Sequence, residues 1–342
     1  MPRSAGSRSE RPRNGQRLRL TGGEPGELAI RALGLRKAYR SNWTLRETVG
    51  LESLDLELKR GQVLGYLGPN GAGKTTTLKL LAGLIKPTSG QAWLFGDSIE
   101  DPSSRRHLGF LPEQPYFYDY LNGLEYLRLA GQLSGLPGHE SHEQARHWLG
   151  RVGLGSRPGL RLRKYSKGML QRLGLAAALV HRPRLLILDE PMSGLDPFGR
   201  RDVRDLILEQ KAAGVTVLFS SHILPDVELL CDRVAMLSGG RLARLASVDQ
   251  LLLDAAHRVE IACRVSPRAE LPGAWRESVK LVRRGRGASL VLGDEDMVGD
   301  VLTWLLRGGA QITSVTPQRA SLEALLLSAT EGVSSETERR SA

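Results

Sequence analysis

The sequence predicts an α/β fold organised around a mainly parallel β-sheet, and three observations support that prediction. A glycine-rich segment at residues 68–77 joins a short apolar strand, Val63–Leu67, to an apolar helical stretch, Leu78–Leu84. In the second half of the chain, apolar strands again alternate with helices, which is the pattern of a parallel sheet. One of those strands, Leu185–Leu188, ends in two adjacent acidic residues. A strand, a glycine turn and a helix in this order predict a phosphate-binding site.

The composition allows a sizeable core and carries an excess of positive charge. Of the 342 residues 41% are hydrophobic, enough for one large domain or two modest ones, and the formal net charge is +11. Residues 1–26 are rich in Ser, Gly, Pro and Arg and predict a disordered basic tail. The simplest interpretation of this tail is a solvated extension. The alternatives are that it is attracted to anionic lipids or to nucleic acid. Cys231 and Cys263 match no metal or disulfide spacing, which favours a reducing compartment.

Before the glycine-rich segment, the pattern predicts antiparallel strands. Leu28–Leu35 predicts a first strand, and a polar loop is expected at residues 40–50. Leu51–Leu58 alternates apolar and polar residues, as a half-buried antiparallel strand does, and Gln91–Phe95 predicts a further strand. These segments predict an antiparallel β subdomain attached to the parallel sheet.

Residues 115–165 change character and predict a helical insert. Leu121–Leu133 and Glu143–Val152 have helical spacing, and Gly and Pro residues separate them. Strands return at Val215–Ser220 and Arg233–Leu237. No apolar run is long enough for a secretory signal or a membrane span, so we expect no direct span.

A second unit is expected after a large domain at residues 28–255. Residues 257–329 predict a small α+β accessory domain, and residues 330–342 a disordered tail. Its predicted elements are strands at Val259–Val265, Ser289–Leu292 and Gln311–Thr316 and helices beginning at Asp296 and Ser321, the last ending at Ala329.

The glycine-rich segment fits the P-loop pattern in full, with Gly68, four further residues, then Gly73, Lys74 and Thr75. Lys74 is expected to reach the β- and γ-phosphates, and the Thr75 hydroxyl to bind Mg²⁺. The residues expected to hold the nucleotide phosphates are Gly68, Pro69, Asn70, Gly71, Ala72, Gly73, Lys74, Thr75 and Thr76. A glycine turn without a ligand is the alternative, and the flanking strand and helix argue against it.

The two acids after Leu185–Leu188 complete the expected chemistry. A P-loop enzyme needs a carboxylate at such a strand end to hold Mg²⁺, and Asp189 fits this role. Glu190, the next residue, can polarise the water that attacks the phosphate.

With these motifs, residues 28–255 resemble the ATP-binding subunits of ABC transporters, and further family motifs follow in the expected order. Tyr39 resembles the aromatic residue that stacks on adenine, although a packing tyrosine is the alternative. Gln114 resembles the glutamine that touches Mg²⁺ or the water and senses the membrane partner. Asp196 lies in a segment, Ser-Gly-Leu-Asp, that resembles the D-loop, and His222 resembles the switch histidine.

Residues 165–169, Tyr-Ser-Lys-Gly-Met, resemble the family signature, which in the family faces the γ-phosphate of the other subunit. Ser166 and Gly168 are kept from the commonest form, while Lys167 and Met169 depart from it. This variant is familiar among subunits of ABC-2-type exporters. A second candidate, Ser238 within Leu-Ser-Gly-Gly-Arg, follows His222 and is expected to form a hairpin turn instead.

The resemblance implies a P-loop NTPase of the ABC ATPase type that uses ATP and Mg²⁺, with Lys74, Gln114, Glu190 and His222 as catalytic residues. It implies a dimer with a second copy or a homologous subunit, and transmembrane permease subunits as separate polypeptides. The chain is then a cytoplasmic, peripheral component on the inner face of the membrane, and the transporter an exporter. The alternative is a non-transport ABC ATPase acting on ribosomes or DNA. We expect no nucleic-acid partner.

Overall fold

In a computed structural model, two β-sheets of ten and four strands organise the part of the chain that the structure describes. The structure describes residues 27–40, 47–253, 258–264, 271–276, 278–284 and 287–318. The predicted tails and the predicted final helix lie outside these residues. The strands are β1 (Leu28–Arg40), β2 (Glu47–Lys59), β3 (Val63–Leu67), β4 (Ser89–Leu94), β5 (Asp97–Ser98), β6 (Leu108–Leu111), β7 (Leu185–Leu188), β8 (Thr216–Ser220), β9 (Arg233–Ser238), β10 (Arg241–Ser247), β11 (Arg258–Arg264), β12 (Val279–Arg284), β13 (Gly287–Leu292) and β14 (Gln311–Gln318). The helices are α1 (Lys74–Leu81), α2 (Gly123–Leu133), α3 (Gly138–Arg151), α4 (Lys167–Leu179), α5 (Pro197–Ala212), α6 (Leu224–Leu230), α7 (Val248–Leu253) and α8 (Val298–Arg307).

The ten-stranded sheet confirms the α/β prediction. Its order is β5-β4-β1-β2-β10-β9-β3-β8-β7-β6, and the strands from β9 to β6 are parallel. Every residue of β3, β7 and β8 is buried, which explains why these strands read as continuous apolar runs. Because β3, β7 and β8 are parallel, the loops that follow them lie at the same edge of the sheet. In such sheets ligands bind beyond the carboxyl ends of the strands.

The antiparallel subdomain is formed by β1, β2, β4 and β5. The predicted loop at 40–50 is too long, because β2 already begins at Glu47 and pairs with Arg40. A salt bridge of 2.8 Å between Arg36 and Glu47 holds the strands together there. Cross-strand charge pairing, rather than apolar burial, extends the ladder. Because this part of β2 is polar, the sequence pattern predicts a loop there instead of a strand.

The helical insert packs on the parallel sheet's core through α2 and α3. Asn122 and Glu125 form a reciprocal capping box that begins α2. The α3 helix begins at Gly138, five residues before the predicted start. Its first buried residue, Ser141, is polar and donates a hydrogen bond of 2.6 Å to the Arg128 carbonyl. Since the apolar stripe begins only at Ala145, periodicity alone places the start too late.

The segment Leu-Ser-Gly-Gly-Arg is a hairpin between β9 and β10, as predicted. Ser238 pairs with Arg241, and the two glycines between them have φ values of +55° and +74°. Positive φ at both central positions is the two-residue turn that matches strand twist. This segment begins no helix.

The second unit has its own four-stranded antiparallel sheet, in the order β12-β13-β11-β14, and α8. Its core is separate from those of the large sheet and includes Ile261, Leu290, Val301 and Leu305. An α+β unit was predicted here, but β12 was not. That strand ends in Arg283 and Arg284, so its sequence resembles a charged loop.

Candidate active site

A cleft of about 830 Å³ lies at the carboxyl ends of β3, β7 and β8. It brings together residues that are distant in sequence, from β1, the P-loop and the loops after β7 and β8. Among the residues predicted for the site, those lining the cleft are Tyr39, Gly68, Pro69, Asn70, Gly71, Gly73, Lys74, Thr75, Thr76, Asp189, Glu190 and His222. Ala72 belongs to the loop but is buried behind it.

The P-loop can close only because glycines occupy its tight positions. Gly71 and Gly73 have φ values of +81° and +100°, which side chains disfavour. A Cβ on Gly73 would lie 2.6 Å from the Gly50 carbonyl oxygen. Lys74 Nζ folds back and donates a hydrogen bond of 2.7 Å to the Gly68 carbonyl, so its ammonium group lies over the loop.

A buried hydroxyl chain supports this loop from below. Tyr66, fully buried in β3, donates to Thr77 Oγ1 at 3.4 Å, and Thr77 Oγ1 donates to the Gly73 carbonyl at 3.0 Å. Burial raises the pKa of the Tyr66 hydroxyl, so it stays a neutral donor. The strand and the first turn of α1 thereby hold the last glycine of the loop.

The Asp189 carboxylate is almost completely buried at the floor of the cleft, at 1% exposure. Ser220 donates a hydrogen bond of 2.6 Å to its Oδ1 atom. The buried Oδ2 atom has no hydrogen-bond partner among the described residues. A buried carboxylate oxygen without a partner is costly, and a cation would offset that cost. Since the Thr75 hydroxyl lines the same cleft, this pair of oxygen donors fits Mg²⁺.

The backbone of Glu190 is held in a left-handed conformation, with φ at +49°. Its N–H donates to Ser220 Oγ at 2.9 Å, and Gln171 Nε2 donates to its carbonyl at 3.3 Å. Its side chain accepts a hydrogen bond from His222, whose Nδ1 lies 2.8 Å from Oε2. A left-handed backbone is strained in a residue other than glycine. Such strain persists only where the surrounding structure enforces it, and it is most frequent at functional sites. These contacts aim the carboxylate into the cleft.

Tyr39 lies at the mouth of the cleft with 41% of its surface exposed. Its hydroxyl is 3.5 Å from Thr76 Oγ1, and Lys37 Nζ is 5.3 Å from the ring centroid. A Cβ on Gly50 would lie 2.6 Å from a ring carbon, so this glycine makes room for the ring. An exposed ring beside the P-loop suits stacking on a base.

Gln114 is exposed and does not line the cleft, whereas its neighbour Glu113 does. Strand β6 ends at Leu111, and the intervening Pro112 carries no N–H that could extend the ladder. Glu113, which no sequence motif singles out, presents a carboxylate on that side. Ser220 and Gln171 were also missed, because neither belongs to a motif.

The signature residues and Asp196 lie elsewhere, in a separate depression of about 430 Å³. Ser166 begins α4 and accepts a hydrogen bond of 3.2 Å from the Met169 N–H. Asp196 begins α5 and accepts one of 2.7 Å from the Gly199 N–H. Both line this depression together with Gly168, and no described residue lines both the depression and the cleft. Within one chain, they cannot complete the cleft.

Comparisons with known proteins identify the family of this chain. The ABC transporter family model matches residues 51–193. An uncharacterised ABC transporter ATP-binding protein of Nostoc sp. is 48% identical over 221 residues, which are 64% of this chain and 66% of that protein. The bacitracin transport ATP-binding protein BcrA of Bacillus licheniformis is 39% identical over 65% of this chain and 71% of its own length.

A solved structure shares the fold. The dimeric ATP-binding cassette MJ0796, in a post-hydrolysis state bound to ADP and Pi, superposes with a TM-score of 0.60 at 24% identity, covering 64% of this chain and 98% of that one. Among the described residues, no helix has both the length and the apolar character needed to cross a bilayer. The chain spans just under two thirds of the Nostoc relative's length and 71% of the bacitracin transport protein. It belongs to the family of ABC transporter ATP-binding proteins.

Proposed function

We propose that this chain hydrolyses ATP to drive an ABC transporter of the exporter type, through separate transmembrane permease subunits that hold it at the inner face of the cell membrane. The observation that carries the proposal is the 2.8 Å contact between His222 and Glu190 beside the P-loop. A carboxylate poised next to bound phosphates is what hydrolysis requires, whereas nucleotide binding alone does not need it.

The cleft accommodates a nucleoside triphosphate in one orientation. The Tyr39 ring at the mouth would stack on adenine, and the N–H groups of the P-loop, at the start of α1, would surround the phosphates. Lys74 already lies over the loop and would exchange its contact with the Gly68 carbonyl for phosphate oxygens. Thr76 contributes its hydroxyl at the side of the cleft.

The metal-binding part of the site consists of Thr75 and Asp189. The unpartnered Oδ2 atom of Asp189 and the Thr75 hydroxyl would hold Mg²⁺. Held by these two oxygens, the ion would supply positive charge next to the phosphates. Ser220 keeps the Asp189 carboxylate oriented by binding its other oxygen.

Glu190 would act as the general base. A water oxygen attacks the γ-phosphorus, Glu190 accepts a proton from that water, and the bond to the β-phosphate bridging oxygen breaks. The products are ADP and inorganic phosphate. His222 donates its Nδ1 hydrogen to the carboxylate and fixes its direction. Lys74 stabilises the negative charge that moves onto the leaving oxygen.

The active form is proposed to be a dimer of two such subunits. Ser166, Gly168 and Asp196 lie outside their own chain's cleft, so they can reach a nucleotide only in a partner. The dimeric cassette with the same fold is consistent with this arrangement. Gln114, exposed beside the cleft at the start of the helical insert, would signal nucleotide state to the permease.

The exporter assignment draws on two features. The Tyr-Ser-Lys-Gly-Met signature resembles that of ABC-2-type exporters, and one relative takes part in bacitracin transport. The transported substrate is a property of the permease subunits.

Two measurements test the proposed function. The purified chain should release phosphate from ATP with Mg²⁺, and Lys74→Ala or chelation of Mg²⁺ should abolish this release. Co-expressed with candidate transmembrane permease subunits, the chain should purify with membranes and hydrolyse ATP faster. Turnover that persists in Lys74→Ala would refute the assigned site, and failure to associate with the permease would refute the transport role.

A further inference from the structure

A second concave site lies at the opposite end of the parallel sheet from the nucleotide cleft. Its volume is about 340 Å³, and its lining includes three arginines (Arg60, Arg182 and Arg184) and two aromatic residues (Phe95 and Trp148). No carboxylate from the described part of the chain lines it. We call this site the arginine pocket.

Two guanidinium groups converge on one aromatic ring in the arginine pocket. The Arg184 Cζ atom is 4.6 Å and the Arg60 Cζ atom 5.3 Å from the Phe95 ring centroid. Each cation is attracted by the ring, but the two repel each other. Neither forms a salt bridge among the described residues. An anion bound in the pocket that both arginines line would reduce that repulsion.

Backbone strain also marks the arginine pocket. Among the described residues, three non-glycine residues have left-handed backbone, namely Glu190, Phe95 and Arg182. Glu190 belongs to the nucleotide cleft, and the other two both line the arginine pocket. Phe95 is the first of two turn residues between β4 and β5, a position that favours Asn, Asp or Gly. An aromatic residue in a left-handed conformation costs conformational free energy, so we infer that the Phe95 ring contributes to this pocket.

The third arginine is held at the edge of the pocket. Arg182 forms a salt bridge of 3.4 Å with Glu140 on α3, while its side chain stays 66% exposed. That pair is solvated and weak, so the guanidinium group can add a further contact at little cost. Trp148, on the same helix, is 8% exposed and supplies an apolar wall.

The arginine pocket is distinct from the nucleotide cleft but shares its strands. Arg184 directly precedes β7, and Asp189 directly follows it. Thr216 begins β8 and lines the pocket, whereas Ser220 ends the same strand and binds Asp189. At about 3.3 Å per residue, the two sites are roughly 16 Å apart along β7. One nucleotide cannot occupy both.

We propose that the arginine pocket binds a phosphate-bearing anion. Guanidinium groups match phosphate oxygens with two parallel hydrogen bonds, and Arg60 and Arg184 line this pocket beside the same ring. The anion is either a free phosphate compound or a lipid headgroup, which have the same chemistry. The proposal does not depend on ATP hydrolysis.

The test measures pyrophosphate binding by calorimetry in a Lys74→Ala background, which weakens anion binding at the P-loop. Combining Arg60→Gln with Arg184→Gln should weaken this binding at least tenfold. The control removes the same charge by combining Arg106→Gln with Arg276→Gln, two exposed arginines outside the pocket. Its dissociation constant for pyrophosphate should stay within twofold of the parent's. Flotation with vesicles containing 30% phosphatidylglycerol, using the same variants, distinguishes the lipid source.

A further variant distinguishes loss of the binding site from loss of folding. Phe95→Asn suits the turn better and removes the ring on which both guanidinium groups lie, so it should fold and still bind pyrophosphate several-fold more weakly. Loss of either pyrophosphate or vesicle binding in the pocket variants, but not in the control, supports the proposal. If the pocket variants and the control bind both probes equally, or if the parent binds neither, the proposal is wrong.

Discussion

Ser220 Oγ lies 2.6 Å from Asp189 Oδ1 and thereby links the end of β8 to the acid at the end of β7. The same oxygen accepts the Glu190 N–H at 2.9 Å. One buried hydroxyl group therefore orients both acids, the one assigned to Mg²⁺ and the one assigned to the water.

We expect Ser220→Ala to weaken both assignments. Removing the hydroxyl leaves the Glu190 N–H and one Asp189 oxygen without this partner, which costs about 1–3 kcal/mol of unfolding free energy. The Mg²⁺ concentration for half-maximal ATPase activity should rise, since Asp189 is less well oriented. Ser221→Ala is the matched control, because Ser221 is also buried but contacts Ile223 rather than the acids. An unchanged Mg²⁺ dependence in Ser220→Ala would contradict this account.

Glu190→Gln should separate ATP binding from hydrolysis. The amide keeps the size of the side chain but cannot accept the proton, so turnover should fall at least about 100-fold while ATP affinity is kept. The variant should accumulate an ATP-bound dimer, detected by size exclusion. Glu113→Gln is the control, because Glu113 lines the same cleft without the histidine contact, and it should retain turnover within a few fold. Near-normal turnover in Glu190→Gln would exclude it as the base.

The two serines in Gly-containing motifs should respond differently to substitution. Ser166 caps α4 in the depression outside the cleft, whereas Ser238 is the last residue of β9 before a hairpin. Ser166→Arg should abolish ATP-driven dimerisation while a single subunit still binds ATP, and Ser238→Arg should leave dimerisation intact. Analytical ultracentrifugation with ATP and Mg²⁺ measures both, and the reverse pattern would overturn the placement of the signature.

Acid should destabilise the fold partly through His181. Burial lowers the pKa of this imidazole, the hydrogen bond from Nε2 to the Leu108 carbonyl offsets part of this, and the charge of His107 lowers the pKa further. Its buried Nδ1 atom has no partner among the described residues, so protonation there is costly. The unfolded chain then binds more protons than the folded one, and stability falls as pH drops below about 6.5.

Urea unfolding at pH 7.5 and pH 5.5 tests this pH dependence. His181→Gln can still donate to the Leu108 carbonyl but does not titrate, so it should lose less stability on acidification than the parent. The exposed His139, changed to Gln, should behave like the parent. Equal losses in all three proteins would show that His181 does not contribute.

The parts of the site that the sequence predicted are contiguous motifs. Lys74 and Thr75 are identified by spacing within the P-loop, and Asp189 and Glu190 by following a continuous apolar strand. Ser220 could not be predicted as their partner, since it is 31 residues from Asp189 and looks like any strand-ending serine. Its role depends on β7 and β8 being neighbours, which is a property of strand order.

Some elements were missed because polar interactions, not apolar periodicity, stabilise them. The start of α3 depends on buried Ser141, and the outer part of β2 on the pairing of Glu47 with arginines of β1. Glu113 lines the cleft where Gln114 was expected, because the direction of a side chain after a strand depends on how the loop turns. Motif order alone does not contain that information.

The central claim is that each nucleotide site is completed by a second subunit, and mixing two defective subunits tests it most directly. In a Glu190→Gln background, which removes hydrolysis, neither Lys74→Ala nor Ser166→Arg protein should dimerise alone with ATP and Mg²⁺. Mixed, they can form one intact site, because the sound P-loop of the Ser166→Arg chain faces the sound Ser166 of the other. The account predicts that an ATP-dependent dimer reappears on size exclusion. A mixture that stays monomeric, while the background protein dimerises, would contradict it.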